Sequence, residues 1–404
     1  MADPKRSFLR WREVPPGVWA LGAVSLLMDI SSELIHALLP LYLAVGFGAS
    51  MLLIGIIEGV AEATALIVRI FSGALSDWLG KRKLLVALGY GLAAFTKPIF
   101  PLAATVEWLF AARLIDRIGK GIRGAPRDAL IADLSPPGVR GASFGLRQSL
   151  DTVGAFLGPL LAIGLMVLFA DNFTPVLWIA VVPALLAFLV VIVFVTEPPR
   201  PPDLKPIRSP LARREIARLG APFWIVVALG ALFTLARFSE AFLLLRAHSL
   251  GLSLALVPVV LVVMNVVYAF SAWPAGELSD RLGRYGVLAA GFGVLIAADL
   301  MLAFASGIVG VMLGAALWGL HMGLTQGILA ALVADTAPAD LRGTAYGMFN
   351  LIAGGAMLAA SVVAGALWDL FGAQTTFLAG AAFTALSLAL LPFVRASLRP
   401  ASNP

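Results

Sequence analysis

Cysteine is absent from the chain, which excludes disulfides, thiolate metal sites and any cysteine nucleophile. Histidine is nearly absent too, with three in 404 residues. Charge is scarce: 13% of residues are Asp, Glu, Lys or Arg, where soluble domains average about 25%. No GxxxxGK[ST] loop is present, so drive by ATP is not expected. The glycine-spaced stretch RIGKGIRG (117–124) follows a basic helix end and no strand, so it does not make a dinucleotide site. The run GLSL (251–254) lacks the setting of a hydrolase elbow. Neither an enzyme nor a cofactor is expected. Segments of about ten residues that alternate in polarity are missing, and with them a membrane β-barrel.

What the chain has in abundance is apolar sequence. Hydrophobic residues make up 60% and mean hydropathy is +0.95, a ratio from which no water-soluble surface can be built. A bilayer core of about 30 Å needs roughly 18 or more mostly apolar residues per helix. Twelve such spans are predicted, so the fold class is an all-α membrane protein. The first six cover 17–45, 51–76, 84–104, 107–133, 142–170 and 175–196. The second six cover 221–248, 253–279, 286–305, 308–334, 343–370 and 375–394. The first apolar run is too long, and too polar at its centre, for a signal-peptide core, so it is expected to remain as an uncleaved helix.

The net charge of +6 and pI near 9.9 do not imply nucleic acid, because the basic residues sit where membrane topology wants them. Lys5, Arg6, Arg10 and Arg12 precede the first span, and Lys81, Arg82 and Lys83 follow the second. Arg140 follows the fourth, Arg281 and Arg284 the eighth, and Arg342 the tenth, while Arg395 and Arg399 close the chain. Loops on the other side carry almost none, with Arg246 the nearest exception. Both termini are therefore expected in the cytoplasm, and the partners expected are the lipid bilayer, protons and a small molecule.

The chain repeats. ALIADLSPPGVRGASFG (129–145) matches ALVADTAPADLRGTAYG (331–347) at a shift of 202 positions. GALSDWLGKRK (73–83) matches GELSDRLGRYG (276–286) at a shift of 203. SSEL (31–34) matches FSEA (238–241), which sets Glu33 against Glu240 at a shift of 207. Three matches in one order indicate two homologous six-helix halves, as in transporters built from parallel repeats. The expected organisation is a first bundle over 1–196, a cytoplasmic linker rich in Pro and Arg over 197–219, and a second bundle over 220–404.

These matches carry a resemblance to the major facilitator superfamily over essentially the whole chain. Its signature G-x-x-x-D-x-x-G-[RK]-[RK] between the second and third spans reads here Gly73, Asp77, Gly80, Lys81 and Arg82. A second copy stands at Gly276, Asp280, Gly283 and Arg284. The first copy has Trp78 where a basic residue is usual, and the second has Tyr285 at its second basic position. The resemblance implies a latch on the cytoplasmic side, two bundles that rock about a midplane cavity, and a monomer. In the fifth span, Gly145, Gly154, Gly158 and Pro159 match the spacing G-x8-G-x3-G-P, which resembles drug and metabolite antiporters. The trailing Gly-Gly usual there is replaced by Ala162 and Ile163. The string DRIGKGIRGAPRDAL (116–130) is similar to a prokaryotic permease subgroup, which implies a bacterial inner membrane.

Ionisable residues inside the membrane are costly and point to function. Asp29, Glu33 and His36 share one face of the first span, with Ser32 beside them. Glu58, Glu62 and Arg69 form a stripe in the second, and Arg147 and Asp151 stand four apart in the fifth. Arg113, Asp116 and Arg117 lie deep in the fourth. The second half is poorer, with Arg237 and Glu240, Asn265 and Tyr268, and His321 and Gln326. No basic residue lies within one turn of Asp29 or Glu33, so either can bind and release a proton as its access to water alternates. Asp29, Glu33, Glu58, Glu62 and Asp151 are the expected proton-coupling residues. His36, Arg113, Asp116, Arg147, Arg237, Glu240, Asn265, Tyr268, His321 and Gln326 are the expected substrate wall. Asp29 with His36 gives only a thin metal site, since no second histidine is near. The expected activity is proton-coupled efflux of small amphipathic organic compounds. The alternatives are a metal, siderophore or organic-anion permease, and a membrane sensor or assembly factor that has lost transport.

Overall fold

The computed structural model describes residues 13–198, 213–338 and 341–397. It is helical throughout, with no strand among the described residues. The helices are α1 (Pro16–Leu41), α2 (Met51–Leu79), α3 (Arg82–Thr96), α4 (Val106–Leu134), α5 (Arg140–Leu168) and α6 (Phe173–Phe194). They continue as α7 (Ala221–Ala236), α8 (Ala241–Ser249), α9 (Val259–Leu282), α10 (Arg284–Phe304), α11 (Ile308–Thr336), α12 (Arg342–Phe371) and α13 (Ala373–Ser397). Among the described residues, eleven helical segments are long and apolar enough to cross a membrane. The twelfth, α4, has the length at 29 residues but carries Arg113, Asp116, Arg117, Lys120, Arg123, Arg127 and Asp128. Every predicted span is therefore found, and α4 is the one whose charges must be neutralised by its neighbours.

Three spans depart from uniform helix, each for a local reason. The first ends in a π-helical turn at Tyr42–Gly46, directly after Pro40. The third is interrupted at Pro98, which cannot donate an amide hydrogen and closes α3 at Thr96 before the short turn Ile99–Leu102. The seventh is broken between α7 and α8 although no proline or glycine stands there. Serines replace the helical bonds: the Ser239 amide donates to Ser361 Oγ at 3.2 Å, and the Ala241 amide to Ser239 Oγ at 3.3 Å. The sequence pattern predicts one continuous helix over 221–248, because apolar periodicity does not register a break made by hydroxyls.

The chain divides into two compact units, one of residues 1–38 and 64–208, the other of 39–63 and 209–404. Residues 39–63 thus join the second unit, where the repeat places them in the first half. In unit 1 the buried face of α1, with Val18, Leu21, Val24 and Met28, is the centre of a core shared with α3, α4 and α6. The α3–α4 pair approaches closely, since a methyl on Gly89 would meet Arg123 Cβ at 2.7 Å. Arg123 lies with its guanidinium 4.7 Å from the Tyr90 ring centre.

In unit 2 the packed pairs are α9 with α11, α10 with α11 and α13, and α7 with α12 and α13. The α10–α11 pairing repeats the α3–α4 pairing of unit 1, as the duplication requires. Asp369, near the end of α12, accepts the amides of Met51 and Leu52 at 3.0 and 2.8 Å and so caps the first turn of α2. Lipid offers no hydrophobic drive between helices, so close approach through small residues must supply the packing energy. Gly319 shows the effect, for a methyl there would collide with the Met264 carbonyl of α9. Gly319→Ala is expected to cost about 1–3 kcal/mol and lower the thermal unfolding midpoint in detergent. Gly293→Ala, where nothing stands within 4 Å, is expected to leave it unchanged or raise it.

Candidate functional site

The acids of α1 stand against the glycines of α5. A methyl on Gly154 would meet Leu26 O at 2.8 Å and Asp29 Cβ at 2.9 Å; one on Gly158 would meet Glu33 Cβ at 2.7 Å and Leu34 N at 2.9 Å. The glycine spacing of the fifth span is thus the contact surface for Asp29 and Glu33. Gly145 has open space around it and takes no part, while Pro159 is buried one residue beyond Gly158. Asp29 and Glu33 are half-buried, and neither has a hydrogen-bond or ion-pair partner among the described residues.

One turn on, the polar face of α1 meets α4. An Arg113 nitrogen lies 2.9 Å from His36 Nδ1, and both side chains are buried. Arginine has only hydrogens to offer, so Nδ1 accepts and the ring proton stands on Nε2. The same bond commits that imidazole to a cation, which argues against a metal ion there, and no cluster of three or more His, Asp or Glu suited to a metal occurs among the described residues. Below it, Lys97 Nζ donates to Asp116 at 2.9 Å and to Ser32 Oγ at 3.1 Å, with Arg117 Nε 3.8 Å from the other Asp116 oxygen. Lys97 and Asp116 are 1% and 2% exposed, so this is an ion pair in a low dielectric. Asp116, expected on a substrate wall, is held by Lys97.

A second network in unit 1 joins α2, α4 and α5. Arg147 is paired with Asp151 and lies 3.8 Å from Asp128. Asp128 also takes Arg69 at 3.2 Å and Arg127 at 3.1 Å, and Arg127 donates to Ser25 at 2.9 Å. Asp151 is therefore a member of a salt-bridge cluster, unlike Asp29 and Glu33. Glu58 is fully buried on α2 and Glu62 half-buried.

At the turn from α2 to α3, Gly80 adopts φ +67°, a conformation that glycine alone enters freely. Arg82 reaches back to Asp77 at 3.4 Å, across to Asp133 at 2.5 Å and to the Ala129 carbonyl at 2.6 Å. Glu197 accepts the Arg82 and Lys83 amides that open α3. Lys81 and Trp78 are exposed, and Gly73 faces Ala125 of α4. Unit 2 repeats this turn: Gly283 has φ +81° and Arg284 is paired with Asp335. Gly276 has open space, and the Asp280 side chain lies outside the described residues.

In the body of unit 2, Tyr268 donates to Gln326 at 3.2 Å beside a cavity between α9 and α11, with Asn265 half-buried on the same helix as Tyr268. Arg237 and Glu240 bracket the break between α7 and α8, and the Arg237 guanidinium lies 5.9 Å from the Phe233 ring centre. His321 is fully buried, edge-on to Trp318 and Phe233.

Comparison with known proteins decides the family. The model of the major facilitator superfamily matches residues 21–360. The chain belongs to that superfamily. It is a multi-pass membrane transporter and not an enzyme. An uncharacterized MFS-type transporter of Methanocaldococcus jannaschii is 34% identical over 391 residues, 95% of this chain and 96% of that one. A multidrug resistance protein of Bacillus subtilis is 27% identical over 201 residues, 49% of this chain and 50% of its own. The crystal structure of the nucleoside transporter NupG aligns with TM-score 0.78 at 16% identity, over 94% of this chain and 99% of that one, a likeness of fold alone.

Two residues of this transporter escape the sequence reading. Lys97 sits in the run FTKPIF and Asp299 in IAADLML, each the lone charge of an apolar stretch. Neither belongs to a stripe of charge at helical spacing, although one intramembrane charge is already a signal. Lys97→Met would leave buried Asp116 with only the longer contact to Arg117 and is expected to destabilise unit 1 by about 3 kcal/mol. Adding Asp116→Leu is expected to recover most of that loss, read as thermal midpoints in a double-mutant cycle.

Proposed function

We propose that this protein is a proton-driven exporter of small amphipathic organic compounds, working by alternating access in a prokaryotic inner membrane with both termini in the cytoplasm. The observation that carries the reading is the seat of Asp29 and Glu33. They are two acids with no salt bridge among the described residues, set where α1 meets the glycine face of α5. A carboxyl in such a place binds a proton when dry and gives it up when water reaches it. Because Gly154 and Gly158 let the α5 backbone touch both acids, any shift of α5 against α1 changes their solvation. Proton uptake and helix movement are then one event. The printed name of the Bacillus subtilis relative supports drug-like cargo.

A second reading, transport of an organic anion, is favoured by four buried cationic side chains in α4 and beside it: Lys97, Arg113, Arg117 and Arg123. Asp116 is the acid set among them.

In proteoliposomes with an imposed pH gradient, ethidium is expected to move against the proton flow. Asp29→Asn or Glu33→Gln is expected to reduce that movement by about tenfold. Wild-type flux in both variants would sink the assignment of the coupling acids. Stabilisation of the purified protein by organic acids, and not by ethidium, would favour the anion reading.

A further inference from the structure

The two units treat the same buried place in opposite ways. A shift of 202 carries the ion pair Arg82–Asp133 of unit 1 onto Arg284–Asp335 of unit 2. Between those landmarks the same shift carries Lys97 onto Asp299 and Asp116 onto Trp318. Unit 1 therefore places a lysine and an aspartate in contact, whereas unit 2 has an aspartate in the lysine's position and an indole in the aspartate's. Ser32, which binds Lys97, corresponds to Ser239 in the break between α7 and α8.

The structure shows what this exchange leaves behind. Asp299 is 0% exposed, and neither carboxyl oxygen has a hydrogen-bond partner among the described residues. Its carboxyl lies over Gly380 of α13, where a methyl would meet Asp299 Oδ2 at 2.8 Å and Phe238 Cε1 at 3.1 Å. Phe238, a residue of the break, lies with its ring tilted against Trp318 at 5.4 Å and edge-on to Phe377 at 5.5 Å. The charged and titratable groups around this place are few. Those described in the middle of unit 2 include Arg237 and Glu240 in the break, His321 on α11 and Tyr268 on α9. Arg246 of α8 is bound to the carbonyls of Leu302, Ala303 and Ala305 at the end of α10. The buried polar side chains described on α12 and α13 are hydroxyls: Thr344, Ser361, Thr376, Thr384 and Ser387. An ionised carboxylate without a donor, walled by aromatic rings, carries a desolvation cost that nothing here offsets.

We propose that Asp299 is the proton-exchanging acid of unit 2, carrying its proton in this conformation and releasing it when the break beside Phe238 admits water. The step breaks the carboxyl O–H bond, its electron pair staying on the carboxylate and its proton passing to water as hydronium, and the reverse step re-forms that bond from hydronium. It deepens the proton-driven reading above by adding a site in the half that the stripes of charge leave poor.

The test uses the full chain in liposomes. The infrared spectrum of the wild type at neutral pH is expected to show a protonated-carboxyl stretching band that Asp299→Asn removes. The ratio of gradient-driven to exchange movement of ethidium is expected to fall about tenfold in the same variant. Identical infrared spectra, or an unchanged ratio, would overturn the proposal. If Asp299→Asn does not fold, Gly380→Ala presses a methyl on the carboxyl and is expected to shift the band; an unshifted band counts against the proposal. A wild type indifferent to the pH gradient would refute proton-driven export, while the infrared comparison still decides the state of Asp299.

Discussion

Every charge inside the apolar span must find a partner or lose its charge, and the buried pair Lys97–Asp116 shows how much structure that demand organises. Lys97 reaches the middle of unit 1 only because Pro98 ends α3 there and turns the chain. Its ammonium then binds α4 through Asp116 and α1 through Ser32. One side chain so fixes the register of three spans. His36 and Arg113 repeat the tie between α1 and α4 one turn away. Neither pair need add stability over a well-packed apolar core. What such pairs supply is a single permitted arrangement of helices that lipid would otherwise leave free to slide.

Glycine does the complementary work. Where α5 meets α1, α9 meets α11 and α13 meets α10, a glycine on one helix lies against backbone or a carboxyl on the other. These are sites at which packing energy comes from closeness rather than from exclusion of water. They also bring polar side chains into places with no room for a solvating water. At Gly158 and Gly380 the small residue and the unpaired acid occur together, at Glu33 and Asp299 respectively. Close packing and exposed chemistry are thereby joined: a movement that separates the helices is the same movement that hydrates the acid.

The sequence was most legible where its signal is long. Apolar runs located all twelve spans, and the repeat located the two turns that Arg82 and Arg284 hold. It was least legible where structure depends on one residue or on hydroxyls. The break after Ala236 leaves no trace in the pattern because Ser239 and Ser361 satisfy the backbone without proline or glycine. Lys97 and Asp299 were missed because a lone charge has no period. Asp116 and Asp151 looked like the other intramembrane acids, yet each meets its cation in three dimensions. For Asp151 that cation is a neighbour on its own helix; for Asp116 it comes from another span, which spacing along one helix cannot foretell.

Duplication offers a reason for the difference between the halves. Two copies of one fold need the same turns, and the Gly80 and Gly283 turns with their Arg–Asp pairs are kept at both places. Those features serve the fold itself, since both units must close α2 on α3 or α9 on α10. The centre is under no such obligation. Replacing a Lys–Asp pair by Asp and Trp removes the counter-ion, and the acid left at the lysine's place, Asp299, has no hydrogen-bond partner among the described residues. Breaking the span beside it at Phe238 adds backbone groups that no longer bond within a helix. At this place unit 2 holds an acid without an ion pair where unit 1 holds Lys97–Asp116, while the unpaired acids of unit 1, Asp29 and Glu33, stand elsewhere, on α1. The asymmetry of charge, and not the shared architecture, is then the part of the chain that carries its chemistry.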